Sequence, residues 1–335
     1  MRLRTFSITL SLIAVFAAST VAVITQPFVT PIPSTPPEID KSKLEAHVKR
    51  LSTDFHPRSS DQFQNLDKAA QYILDEFRAA GAAVTVQDVI VKGEAYKNII
   101  ARFGPSTGPL LVVGAHYDSN GHAAETKHPN GTFAQTHTPG ADDNASGVAG
   151  LIELARLLSS KPQTRSIELV AYTLEEMPHF RTGEMGSFWH ARSLKAAGRE
   201  VQLMLSMEMI GYFTDKPGSQ AFPAPGMTHL YSDRGNFIGL VGNLDNFGTI
   251  RRAKALMSGA SNLPVLSINA PALLEGIDFS DQLNYWNEGY PALMVTDTAF
   301  MRNPNYHEAR DTYEKLDYQR MAKVVQGIYA ITQQY

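Results

Sequence analysis

The stretch LVAYTLEEMPHF, residues 169–180, puts two adjacent carboxylates, Glu175 and Glu176, directly after an apolar run. Neighbouring like charges repel and lose solvation if buried. Two other apolar runs end in a related way. GPLLVVGAHYD (108–118) finishes on His116 and Asp118, and VQLMLSMEMIG (201–211) carries Glu208 near its end. All three read as central strands. If their carboxyl ends are neighbours, the acidic and imidazole groups share one crevice, where open α/β sheets place their sites. Such a gathering is stable only if a cation neutralises it. Mixed histidine and carboxylate ligands suit zinc, and also manganese or cobalt.

Two further segments add ligand types. PGADDNASG (139–147) carries Asp142 and Asp143 on a loop leading into a helix, where Asn144 or Asp143 could equally serve as a helix cap. NYHEARDT (305–312) supplies His307, followed by Asp311 and Thr312. In a strand, residues i and i+2 share a face. Asp118 can therefore accept a hydrogen bond from the far ring nitrogen of His116 and orient a metal-bound imidazole. Glu175 and Glu176 diverge, so one can bind a metal while the other faces an activated water. His122, His128 and His137 lie in a polar stretch and read as a solvated loop.

These groups need rigid elements behind them. Helical spacing marks LEAHVKRL (44–51) and 61–81, the second closed by Gly81. Residues 83–91 and 96–103 alternate like an edge hairpin. Further helices are expected at 145–160, 186–198 and 316–335, and further strands at 166–174, 263–268 and 290–299. Residues 212–235 read as loop with one short strand, and 235–259 should hold helices. Strands alternating with helices indicate a three-layer α/β/α sandwich around a mixed, mainly parallel sheet.

Arg2 and Arg4 precede an uncharged segment, Ser7–Ile24, and the next charge is Asp40. Residues 1–24 therefore read as an export signal, cleaved after Ser19 or Ala22, or as an uncleaved membrane anchor. Residues 25–41 read as a proline-rich linker, and 42–335 as a single catalytic domain. Export points to a periplasmic or secreted protein, with membrane contact only through a retained anchor. There is no cysteine, so the core alone holds the fold. A net charge of −3 with no basic run gives no footprint for nucleic acid.

GAHYDS, PGADDNASG, the EE pair followed by MGS, EMIGY and HEARDT occur in that order. Together they resemble the co-catalytic zinc aminopeptidase family, which includes bacterial leucyl aminopeptidases, with glutamate carboxypeptidase II and glutaminyl cyclases as more distant relatives. The resemblance covers about residues 95–335. It implies two zinc ions, with cobalt or manganese as substitutes. His116 and Glu208 would bind one, Glu176 and His307 the other, and Asp143 would bridge them. Glu175 would be the general base and Asp118 the partner of His116. The substrate would be a peptide losing its amino-terminal residue. Most of the family carries Asp where this chain has Glu208, and many members read SDH where this chain has Ser280, Asp281 and Gln282.

His179, Tyr285 and Tyr306 are the candidate substrate contacts. Phe279, Tyr285, Trp286, Tyr290 and Phe300 cluster late in the chain. Core packing is their default role, and the alternative is that part of the cluster lines an apolar pocket for the first side chain of the peptide. The rival functions are a single-zinc, glutaminyl-cyclase-like acyltransferase and a non-catalytic binding domain on the same fold.

Overall fold

The computed structural model describes residues 19–121 and 137–335. After a helical stretch at residues 19–25 come helices α1 (Lys41–Thr53) and α2 (Phe63–Ala79). Gly81, at φ +89°, ends the α2 region as expected. The hairpin β1 (Ala83–Val91) and β2 (Glu94–Phe103) turns through Lys92 and Gly93, both at positive φ, the backbone that a tight two-residue hairpin demands. Then follow β3 (Leu110–His116), α3 (Gly147–Ser159), β4 (Ser166–Tyr172), α4 (Gly186–Ala196) and β5 (Val201–Glu208). The last part holds β6 (Ile238–Gly242), α5 (Phe247–Ser258), β7 (Val265–Asn269), α6 (Gln282–Asn287), β8 (Ala292–Thr296) and α7 (Tyr318–Gln334).

The eight strands form one sheet in the order β1-β2-β4-β3-β5-β8-β6-β7. The centre, β4-β3-β5-β8, is parallel, and β6 pairs antiparallel to β8. β3 and β4 are buried along their whole length. That explains their unbroken apolar sequence, since a strand covered on both faces has no polar side to alternate with. Their side chains divide between two cores. Leu111, Val113 and Ala115 join a core with α1, α2, α3, α5 and α7. Leu110 and Val112 join a second core with α4 and α6. The result is the expected three-layer α/β/α sandwich.

Two expectations are corrected. Residues 238–242 form strand β6 instead of continuing the helical stretch. IGLVG is too short for periodicity to separate strand from helix, and pairing with β8 and β7 decides it. Residues 212–235 contain no strand, only a short 3-10 turn at Met227–His229. No helix among the described residues is long and apolar enough to cross a membrane. Most of the export segment, residues 1–18, lies outside the described residues.

Candidate metal centre

The parallel register brings the polar strand ends together. His116 closes β3 opposite Tyr172 at the end of β4, and Glu208 closes β5 opposite Thr296 of β8. Three residues here hold left-handed backbone without being glycine: Leu174 (φ +60°), Met209 (φ +51°) and His307 (φ +54°). Each such position costs of order 1–3 kcal/mol and persists only where its surroundings over-determine it. Around Met209 they do. Asn144 Oδ1 accepts from Met209 N at 3.1 Å, Ser146 Oγ from Ile210 N at 3.0 Å, and Asp142 Oδ1 from Gly211 N at 2.9 Å.

Two triads result. His116, Asp143 and Glu208 form one, and Asp143, Glu176 and His307 the other, each with its ligand atoms within 4.8 Å of one another. His116 Nε2 lies 3.4 Å from Asp143 Oδ1 and 3.3 Å from Glu208 Oε2. His307 Nε2 lies 3.1 Å from Asp143 Oδ2 and 3.4 Å from Glu176 Oε2. Asp143 thus offers one oxygen to each triad. Glu175 stands outside both, with Oε2 at 3.8 Å from His116 Nε2. All five expected ligand positions and Glu175 are brought together.

The donor set fits divalent cations. His116 Nε2 and Glu176 Oε1 are buried without a hydrogen-bond partner among the described residues, a costly state for groups with no other use. Charge supports the same conclusion. Burial pushes Glu175 well above the usual carboxylate range, and Glu208 and Glu176 add to it. Glu176 and Glu208 are also raised, chiefly by burial. Burial pulls His307 down, yet Glu176 and Asp143 outweigh it and carry it up to about 11. His116 is raised in the same way by Glu208 and Glu175. Without metal the crevice retains protons, because it needs positive charge.

Asp118 differs in detail from its expected role. Its carboxylate stands 3.6 Å from His116 Nδ1, whereas its main-chain oxygen is closer, at 3.2 Å. Its two side-chain oxygens instead accept from the amides of Glu175 (3.1 Å) and Glu176 (3.0 Å). Asp118 therefore fixes the turn that aims the two glutamates apart.

The candidate substrate contacts separate. Tyr306 stacks on the His307 ring at 3.8 Å between centroids and belongs to the site. His179 Nδ1 is held by Glu184 at 2.7 Å, while its amide donates to the Glu176 carbonyl. Tyr285 lies in the α4–α6 core instead, fully buried, with its hydroxyl 2.8 Å from Tyr172 and 2.6 Å from His190. Its phenol is already satisfied there, so the substrate-contact expectation is corrected. An apolar cleft of about 110 Å³ adjoins the metal site and shares Glu208 and Tyr306 with it. Phe279 and Phe300 of the aromatic cluster line it, and Tyr285 does not. His137 is engaged with Ser59 at 2.9 Å, and His122 and His128 fall outside the described residues.

Supporting residues emerge whose roles spacing did not assign. Asp311 accepts from the amides of Asp142 and Asp143, both at 3.0–3.1 Å, and so places the shared ligand. Its only signal was its place in HEARDT, four residues after His307. Arg58 is fully buried and donates to the carbonyls of Tyr117 (2.8 Å), Leu51 (3.1 Å), Pro139 and Gly140. It ties the β3 end to the Asp143 loop. Ser280 donates to Glu208 Oε2 at 2.7 Å. Burial, relieved in part by His116, leaves Asp281 raised to about 7.

The fold and the site define a class, α/β/α proteins with two candidate histidine–carboxylate cation sites at the ends of the central strands. The chain belongs to peptidase family M28, which matches residues 98–332. It is 49% identical over 306 residues to Uncharacterized protein YfbL of Escherichia coli (strain K12), covering 91% of this chain and 92% of that one. It is 31% identical over 265 residues to a probable leucine aminopeptidase of Trichophyton verrucosum, covering 76% of this chain and 61% of that one. A solved leucine aminopeptidase precursor from Bacteroides thetaiotaomicron shares the fold, with a TM-score of 0.69, 18% identity, and coverage of 91% of this chain and 100% of that one.

Proposed function

We propose that this peptidase is an exported, two-metal aminopeptidase that removes apolar amino-terminal residues from peptides. One observation carries the proposal. Two candidate cation triads share Asp143, Glu175 stands beside them but in neither, and an apolar cleft lined in part by Glu208 and Tyr306 adjoins them. Zinc is the cation the donor set suits best, held by His116, Asp143 and Glu208 and by Asp143, Glu176 and His307. Bound there, the pair would supply Lewis-acid polarisation of the scissile carbonyl and a more acidic water.

The chain's own groups do the rest. Glu175 accepts a proton from the attacking water on its side-chain carboxylate and returns it to the departing amine. Its proton affinity is raised above that of an ordinary carboxylate, first by burial and then by Glu208 and Glu176, the direction in which a carboxylate becomes a better proton acceptor. Asp118 keeps Glu175 aimed inward through the two amide bonds. Phe279, Phe300, Met294 and Leu240 offer apolar surface to the first side chain of the peptide. The N-terminal segment 1–24 directs the chain to the periplasm or outside, as a cleaved signal or a retained anchor.

The test is a panel of aminoacyl p-nitroanilides on metal-stripped protein with zinc, cobalt or manganese restored, together with metal content. Two ions per chain and a preference for Leu or Phe over Asp or Lys is the expected result. One ion with cyclisation of N-terminal Gln would replace the proposal by the acyltransferase. No turnover with any metal would leave a binding domain.

A further inference from the structure

Residues 25–34 do not hang free of the domain. Thr25 and Gln26 are buried. The Thr25 carbonyl accepts from Lys254 Nζ at 3.2 Å and Ser267 Oγ at 3.0 Å, and the Gln26 carbonyl accepts from Lys254 Nζ at 2.9 Å. Further along, Arg251 Nη2 donates to the Phe28 carbonyl at 3.1 Å. Ile32 N donates to Ala255 O at 2.9 Å, and Ser34 N to Gly259 O at 3.0 Å. The fit at Gly259 is close, because a Cβ there would lie 1.8 Å from the Ile32 carbonyl oxygen.

The partners of this segment matter more than its burial. Lys254 is 8% exposed, and burial brings its ammonium down to about 8. A buried ammonium without acceptors is strongly unfavourable, and these two carbonyls replace its lost water. Ser267 lies on β7, which ends the sheet and, among the described residues, pairs with β6 alone. An edge strand held on one side is among the less stable parts of a sheet. Ser267 Oγ is bound to the segment, while its carbonyl accepts from Tyr231 Oη at 2.9 Å. Tyr231, Leu266 and Ile268 line the apolar cleft. The segment, β7 and the outer cleft wall are thus one connected set of contacts.

We infer that residues 25–34 are a strap that fixes edge strand β7 and, through it, the outer wall of the cleft, with Lys254 and Ser267 as positioning residues for binding large apolar side chains. The role rests on the cleft being the substrate pocket, as proposed above. It touches none of the groups at the ends of β3, β4 and β5. Loosening the strap therefore affects binding of a large side chain and leaves the chemical step alone.

Gly259→Ala in the full chain tests it. Gly259 has right-handed backbone (φ −87°, ψ −8°), which alanine also adopts, so α5 accepts the change while the new Cβ expels the strap. Gly248→Ala is the control, on the same helix where a Cβ meets nothing within 4 Å. Hydrogen exchange should find the Ile32 and Ser34 amides and β7 protected in the wild type and in Gly248→Ala. In Gly259→Ala that protection should fall. KM for Leu-p-nitroanilide should then rise about three- to tenfold, with kcat, and KM for the Ala substrate, within about twofold. Lys254→Met and Ser267→Ala should give the same split, and they decide the matter if Gly259→Ala does not fold. Free-chain exchange at Ile32 and Ser34 in the wild type overturns the inference. So does a variant that frees the strap while KM for the Leu substrate stays put. A wild type that turns over neither substrate sinks the aminopeptidase assignment instead, and exchange at β7 still decides whether the strap holds it.

Discussion

Glu175 and Glu176 are adjacent in sequence yet stand in different positions relative to the candidate cation triads, and Asp118 fixes the turn between them. Its carboxylate binds both main-chain amides, so the turn cannot relax into a solvated end. Glu176 then falls within a cation triad and Glu175 beside it. Replacing Glu175 by Gln should keep two metals per chain and lower kcat by about 10²–10⁴, the usual worth of a general base. Metal analysis paired with p-nitroanilide kinetics measures this, and full activity would refute the assignment. Asp143→Ala should behave oppositely and lose metal, because each triad uses one of its oxygens. Retention of both ions by that variant would show that Asp143 is not shared.

At the scale of elements, the sheet holds the site rigid through buried polar links as well as apolar packing. Glu168 on β4 lies opposite Arg102 of β2 in register and bonds it at 2.8 Å, while His190 of α4 approaches from the other side at 3.1 Å. Burial alone would raise the Glu168 carboxyl, but His190 and Arg102 outweigh it and hold it at about 2, against 4.5 unfolded. A depressed carboxylate stabilises the fold fully above its unfolded value and loses that contribution as pH falls through the folded one. That contribution disappears as pH falls between roughly 4.5 and 2. Glu168→Gln should therefore be less stable at pH 7 and show a flatter acid limb in denaturant melts. An unchanged limb would mean that other carboxylates dominate acid unfolding.

For the molecule as a whole, the candidate metal centre is a concentration of buried ionisable groups. Cations that bind the native state and not the unfolded one stabilise it by about 2.7 kcal/mol per site at a hundredfold excess over Kd. Stripping with chelator should lower Tm by several degrees, and restoring zinc should recover it. Binding must also displace the protons that His116 and His307 keep when metal-free. Affinity should therefore weaken as pH falls, with metal lost more readily near pH 5 than near pH 8. Equal Tm values with and without metal would contradict a two-ion centre.

Much of this was legible in the amino-acid order. Apolar runs covered on both faces advertise parallel central strands, and the polar residues that end them advertise a crevice, because both signals are local in sequence. His116, Asp143, Glu175, Glu176, Glu208 and His307 are candidates from strand position and from the family resemblance together, and the fold brings them to one place. Other features arose only through space. Strand β6 depends on pairing with β8, which a five-residue apolar run does not announce. Arg58 and Asp311 act on main-chain groups far along the chain, a role that side-chain type alone does not reveal. Tyr285 could face either the cleft or the core, and packing against Tyr172 and His190 sent it to the core. Residues 25–34 have the composition of a linker, and Lys254, Ser267 and Gly259 bind them to the domain. Local pattern determined which residues could do chemistry, and long-range contacts decided which of them meet, because hydrogen bonds and burial depend on distance in space and not on separation along the chain.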